Sequence, residues 1–314
     1  VSKSKWIKVI SIAAFITIAV LLVKYIYAQK DDFIRILYLK SEYLYGIMGL
    51  SLLSPLWGFR YRKIAVEQMG GKIDLIDWFG MQAIVNLLSY FLPFRGGLAL
   101  SAGYYKKKCG VSLSYFTSIT AGGFMVGLYA VSMEILVGLL FLLLMKNRFP
   151  WILWIFAILL VILINLFIFF SRKYGEYVFS KLPFQKYTLP IVKGFIVLIE
   201  NRKVLLKVIV ITFISEMIHS LRMFCVYAAL GNEMNFFLIL IYTGIDYLSD
   251  IVSFLPGNLG VKEVLIGTAT YYTGNYFNDG IMISLLIRFS GFLTYFLYSL
   301  IFIIPVYKRL KDIK

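Results

Sequence analysis

The chain has 314 residues, of which 61% are hydrophobic and 15% charged, and its mean hydropathy is +0.83. Soluble domains are about half apolar and a quarter charged, so a soluble globular domain is excluded and an all-α polytopic membrane protein is implied, with room for roughly six to nine crossings of about 20 apolar residues. The net charge of +16 has its simplest source in the Lys and Arg that cytoplasmic loops collect, so nucleic acid is not expected as a partner.

In chain order, a first apolar run extends from Trp6 to Ala28 behind Lys3, Lys5 and Lys8. It is longer than a signal-peptide core and no A-x-A site follows it, so it reads as a retained first span. Further apolar segments lie at about 43–59, 76–92, 112–145, 150–170, 204–230, 235–255 and 281–305. Two shorter stretches rich in Gly and Tyr, about 94–105 and 257–273, each begin just after a proline. The 183–200 stretch is too short to cross and has basic neighbours, which suits an interfacial cytoplasmic helix; a plain structural elbow fits the same residues.

Basic residues set the expected orientation. They cluster at Lys3/Lys5/Lys8, at Arg60/Arg62/Lys63/Lys72, at Lys106/Lys107/Lys108, along 171–207, and at Lys308/Arg309/Lys311/Lys314. All should face the cytoplasm. The connections near 231–235 and 274–280 carry no Lys or Arg, and the 29–42 loop offsets its bases with Asp31, Asp32 and Glu42, so these should face outward. Lys72 and Lys106 to Lys108 then want one compartment, and the segment between them must enter and return. The same reasoning makes 235–273 a second hairpin that opens outward.

The expected architecture is therefore about six full transmembrane helices plus two re-entrant helical hairpins in an inverted-repeat arrangement, forming one integral membrane domain over 1–314. Its approximate halves, 1–170 and 190–314, are joined by the basic cytoplasmic segment 171–207, with both termini cytoplasmic in the inner membrane. Phe91-Leu92-Pro93-Phe94-Arg95-Gly96-Gly97 and Phe254-Leu255-Pro256-Gly257-Asn258-Leu259-Gly260 share the pattern FLPxxxG at the two tips. Paired Gly/Pro-broken segments in two halves point to a transporter site, although FLP before Gly is also a common way to end an apolar helix.

With one histidine, Cys109 and Cys225 far apart, and no CxxC, HExxH or GxxxxGK[ST] pattern, neither a metal, a cofactor, a disulfide framework nor ATP-driven chemistry is expected. An ion gradient or the substrate's own gradient is left as the energy source.

The segment Leu255-Pro256-Gly257-Asn258-Leu259-Gly260-Val261-Lys262-Glu263, with Arg288 in a later apolar helix, resembles the LPGxxGxxE segment of the lysylphosphatidylglycerol synthase/flippase transmembrane family. Pro93, Arg95 and Gly97 are similar to that family's P-x-R-x-G-E pattern. The chain departs from it at Leu98, where the family has glutamate, and at Ala121-Gly122-Gly123-Phe124, where it has a Glu-Arg pair. The resemblance implies translocation of a lipid or lipid-linked glycan. It does not imply aminoacyl transfer, which needs a cytoplasmic catalytic domain.

Ionisable groups at membrane depth cost at least about 2.5 to 3.5 kcal/mol each unless partnered or wet. Arg95, Glu134, Glu216, His219, Arg222, Asp246, Asp250, Lys262, Glu263 and Arg288 are such groups. Arg95 and Arg288 suit a bidentate phosphodiester contact; equally, Arg288 can pair with Glu263 or Asp250. Gly97, Gly257, Asn258 and Gly260 would let hairpin amides approach an anion, with Lys262 and Glu263 beside them. Asp246 and Asp250 share one helix face and fit a proton or cation relay, or simply neutralise nearby bases. Glu216 and His219 form an E-x-x-H unit and are coupling candidates with the two aspartates, since the titration range of histidine permits proton sensing; a histidine hydrogen-bonded to Glu216 or exposed near the surface is the default. Tyr104/Tyr105 and Tyr271/Tyr272 are expected to pack.

These readings converge on a protein, not an enzyme, that moves an anionic phospholipid or lipid-linked saccharide between leaflets through a charged groove between the hairpins. A homo-oligomer or a partner enzyme of cell-envelope synthesis is left open. The competing readings are a polytopic glycosyl- or phosphotransferase using a polyprenyl-phosphate donor, and a non-transporting scaffold for glycan assembly.

Overall fold

Backbone groups without access to water must be hydrogen-bonded within their own segment, and the described residues obey that constraint by being helical, with no strand among them. The computed structural model describes residues 16–17, 20, 23–92, 96–146, 151–181, 185–232, 235–251, 258–272 and 275–311. Lys3, Lys5, Lys8, most of the first apolar run, Pro93, Arg95, Pro256 and Gly257 lie outside them.

After short turns at Lys30–Phe33 and Ile34–Tyr38, eleven helices follow among the described residues: α1 Ser41–Gly58, α2 Arg60–Gln68, α3 Met81–Ser89, α4 Gly97–Lys108, α5 Leu113–Lys146, α6 Trp151–Ser180, α7 Gln185–Glu200, α8 Arg202–Ala229, α9 Phe236–Ile251, α10 Val261–Tyr272 and α11 Phe277–Lys311. A single turn of π-helix, Ile76–Gly80, leads into α3.

Four helices, α5, α6, α8 and α11, are long and apolar enough to cross a membrane. The chain is an all-α, multi-pass membrane protein. With 18 residues, α1 is about 27 Å long at 1.5 Å per residue, close to the thickness of a hydrocarbon core. By contrast α3, α4 and α10, of 9, 12 and 12 residues, are about 14 to 18 Å long, and none of them spans alone. Each belongs to a helix–break–helix pair, α3 with α4 and α9 with α10.

The 35 residues of α11, about 52 Å of helix, connect the two ends of the molecule. At one end Arg309 reaches Asp74 and Asp77 at 2.6 and 2.7 Å, and its hydrogen bonds hold the Asp74 carboxyl below the usual carboxylate range. Tyr104 donates to Asp77 at 2.5 Å, and the position of Gly71 abuts the Cys109 carbonyl. Lys72 and Lys106 to Lys108 therefore flank the same end. At the opposite end Arg35 binds Asp279 at 2.7 Å and donates to the Leu230 carbonyl and Asn232, which gathers the three loops poor in net basic charge. The α3/α4 pair opens at the basic end and the α9/α10 pair at the other.

Without a strong hydrophobic drive between helices in lipid, close approach depends on small residues. Gly46 sits against Cys225 and Gly58 against Ser215, which sets α1 antiparallel to α8. Gly280 faces the backbone of Gly267 where α10 meets α11. The 183–200 stretch forms α7, but it is not merely laid on a surface. Val192, Phe195, Ile196, Leu198 and Ile199 are buried, Ser118 of α5 donates to the Ile191 carbonyl at 2.6 Å, and Arg172 of α6 to that of Ile199 at 2.7 Å.

Gly97 is the tightest point of the first pair. A Cβ there would lie 2.6 Å from the Val85 carbonyl oxygen and 3.2 Å from its Cα, backbone atoms that no rotamer change can move. Gly97→Ala is expected to splay α3 from α4 and destabilise the protein by about 1 to 3 kcal/mol, the usual cost of overpacking, read as a lowered melting temperature in detergent micelles; Gly49→Ala, whose Cβ meets nothing within 4 Å, is the matched control.

Candidate functional site

Described residues beside both helix breaks meet α11 around Arg288. From the first pair, the Tyr90 hydroxyl donates to the Arg288 carbonyl at 3.3 Å, and Phe91 packs edge-on against Phe292. From the second, the Arg288 guanidinium bonds Glu263 at 2.8 Å and the Asn258 carbonyl at 3.2 Å. Between the breaks lies a cavity of about 440 Å³ that extends past α8 and α5 towards Arg62 on α2.

Arg288 thus pairs with Glu263, a carboxylate that is 1% exposed. The other Glu263 oxygen accepts the Gly260 backbone N–H at 2.7 Å. This is the returning half of a capping box, in which a glutamate in the third helical position satisfies the amide at the start of its own helix. The chain can turn there because Gly260 has φ +87° and Asn258 φ +59°, the left-handed region that glycine and asparagine tolerate. The Gly260 amide, expected to receive an anion, is therefore occupied by the protein's own carboxylate. The Asn258 amide group donates to the Ser249 carbonyl and ties the two arms of the pair together.

The remaining charges form a row. Lys262 lies 3.1 Å from Asp246 and 3.1 Å from Asp250, bridging the two carboxylates one turn apart on α9. Asp246 Oδ2 also meets His219 Nε2 at 3.0 Å, and Arg222 Nη2 meets His219 Nδ1 at 2.7 Å. Arginine can only donate, so Nδ1 accepts and the ring proton sits on Nε2, directed at Asp246. The expected His219–Glu216 hydrogen bond is not made: on α8 the imidazole turns to Asp246 and Arg222, where it satisfies both ring nitrogens, and Glu216 faces the cavity instead.

Gly97 is packed under Val85. Arg95 and Gly257 lie outside the described residues. Glu216, His219, Asp246, Asp250, Asn258, Lys262 and Arg288 all line the cavity, with Glu263 directly behind Arg288. Leu98 lines it too, so the wall is apolar where the resembled pattern carries glutamate. Tyr104 and Tyr105 are buried and both bond Asp77, whereas Tyr271 and Tyr272 are exposed.

Arg222 is the residue that motif and spacing do not single out. Its hydrogen-bond partner is His219, its Nε is buried without a partner, and no carboxylate lies within ion-pair distance of it among the described residues. The signal available in sequence was the density of ionisable groups on one apolar helix, Glu216, His219 and Arg222 within seven positions of α8. Four buried oxygens of cavity-lining residues also lack partners among the described residues: Ser51 Oγ, Gln82 Oε1, Asp246 Oδ1 and Asn258 Oδ1.

Removing one member of a buried pair strands the other charge and costs about 3 to 5 kcal/mol. Arg288→Ala should therefore destabilise the protein by that order, and the double change Glu263→Gln/Arg288→Gln should recover part of the loss. Thermal unfolding in micelles checks the ranking; equal loss in single and double variants contradicts it.

A family model described as the lysylphosphatidylglycerol synthase TM region matches residues 9–299. No curated protein and no solved structure gives a significant match.

Proposed function

Because the chain belongs to the lysylphosphatidylglycerol synthase transmembrane-region family, we propose that it carries an anionic lipid, phospholipid or lipid-linked saccharide, between the leaflets of the cytoplasmic membrane, with the headgroup in the charged cavity and Arg222 as its phosphate contact. On this reading the two broken helix pairs are re-entrant hairpins in an inverted repeat, and the basic end is cytoplasmic.

The observation that carries the proposal is the state of Arg222. A guanidinium at membrane depth is costly unless an anion matches it, and Lys262 and Arg288 already have carboxylates while Arg222 has a neutral imidazole. A phosphodiester offers the planar, two-oxygen acceptor that a guanidinium fork fits. The orphaned acceptors of Gln82, Asp246 and Asn258 suit the hydroxyl donors of a glycerol or sugar headgroup. A buried acceptor with no donor costs about 1 to 3 kcal/mol, a cost that a hydroxyl-bearing ligand able to reach it would relieve. The cavity, about 440 Å³, has the size of a small-molecule site and takes a headgroup with its acyl chains outside it.

The test is transfer of fluorescent phosphatidylglycerol across the bilayer of reconstituted vesicles. Arg222→Gln should slow transfer about tenfold, the equivalent of 1.4 kcal/mol, and Arg222→Lys should retain more of the rate because it keeps the charge and loses the fork. An undiminished rate in folded Arg222→Gln rejects the phosphate contact. Labelling of single cysteines placed at Lys72 and Lys106 from one side of the membrane, and at Asn232 from the other, tests the orientation.

A further inference from the structure

Behind the charged cavity lies a second, partly open one of about 210 Å³, between α5, α6, α7 and the first turns of α8 and walled by apolar side chains such as Met125, Val126, Phe195, Leu198 and Leu205. Tyr61 lines both cavities. Its ring is seated on a glycine pair: a Cβ on Gly123 would lie 2.6 Å from its Cε1, and one on Gly122 would lie 3.0 Å from its hydroxyl oxygen. The hydroxyl donates to the Ile119 carbonyl at 2.5 Å. A single side chain, held by one hydrogen bond and admitted by two missing methyl groups, is thus part of the wall of both cavities.

We propose that this apolar cavity takes a hydrocarbon chain of the same lipid whose headgroup occupies the charged cavity, with Tyr61 as the partition between them; the inference rests on the reading of the charged cavity as a headgroup site. Three features support a hydrocarbon occupant. A void with apolar walls stays dry. Left empty, it forfeits packing energy in proportion to its volume. Two of the three polar side chains at its wall, Tyr61, Tyr129 and Asn165, donate to backbone carbonyls, Tyr61 to Ile119 and Asn165 to Val161 at 2.8 Å. The contact with the headgroup site through Tyr61 makes the chain of the cargo the occupant. The other source of a chain is a bulk anionic lipid, since the exposed bases Lys203 and Lys207 sit on the same turns of α8 as the lining residues Val204 and Val208; the experiment separates the two.

The protein is reconstituted in phosphatidylcholine vesicles holding phosphatidylglycerol with a diazirine at mid-chain, illuminated, and its adducts are mapped by mass spectrometry. Adducts are expected on Met125, Val126 or Ile168, falling about tenfold in Leu205→Trp, which fills the cavity, and by a similar factor in Arg222→Gln. Ile209→Trp is the second filling variant should Leu205→Trp not fold. Absence of adducts at the cavity, or adducts that persist when it is filled, overturns the chain site. Adducts that survive Arg222→Gln while a filling variant removes them belong to a bulk lipid and overturn the link between the cavities. Transfer unchanged in Arg222→Gln strikes instead at the headgroup reading, so the two failures are distinguishable.

Discussion

A carboxylate buried at membrane depth has to be matched, and the match between Glu263 and Arg288 organises everything near it. Burying either charge alone costs several kcal/mol, so α10 and α11 are held in one register. The guanidinium also donates to the carbonyl of Asn258, beside the break of the second helix pair, while the Arg288 backbone carbonyl receives Tyr90 from beside the break of the first. One position on a 35-residue helix therefore anchors two interruptions that arrive from opposite ends of the molecule.

Once those interruptions are fixed, the polar capacity around the cavity divides unevenly. Glu263 consumes both Arg288 and the Gly260 amide. Lys262 is spent on the two aspartates, and His219 stands between Asp246 and Arg222. What remains is a donor fork at Arg222 and scattered acceptors at Gln82, Asp246 and Asn258. A partly satisfied network is unfavourable in a low-dielectric setting, and this imbalance is what the proposed headgroup, with its anionic oxygens and hydroxyls, would offset.

The helical class and the grouping of the loops at two ends were legible in the sequence because composition and charge placement depend on the solvent a segment meets. The loops at Arg35, Asn232 and Asp279 gather at one end and Lys72, Lys106 and Arg309 at the other, as the distribution of bases required. Motif reading also located the region around Glu263 and Arg288. It could not apportion partners, because pairing depends on rotamers and on which faces of α8, α9 and α11 meet. Hence Gly260, an open amide in sequence, is closed by a glutamate three residues on, and His219 turns from the nearby Glu216 to Asp246 across the helix interface. Arg222 carries no motif, since what distinguishes it is the lack of a carboxylate, a property of three-dimensional neighbours.

The two departures from the resembled family pattern act differently on the charge balance. Exchanging a Glu-Arg pair for Ala121-Gly122-Gly123-Phe124 removes one charge of each sign, leaves the net unchanged, and frees space that the Tyr61 ring fills. Exchanging a glutamate for Leu98 removes a negative charge alone, at a position that lines the cavity. Among the described lining residues the cations Arg62, Arg222, Lys262 and Arg288 face the carboxylates of Glu216, Asp246 and Asp250, while Glu263 sits behind Arg288. With Glu263 counted, four cations meet four carboxylates, so what is uneven is the pairing and not the sum: Arg222 alone of Arg222, Lys262 and Arg288 has no ion-pair partner among the described residues. The glycine pair admits the Tyr61 ring, which forms part of the wall of the neighbouring apolar cavity. On the proposed reading the change at Leu98 suits an anionic head and the glycine pair an apolar chain, so the two together suit an amphiphile, whereas a soluble ion would gain only from the change at Leu98.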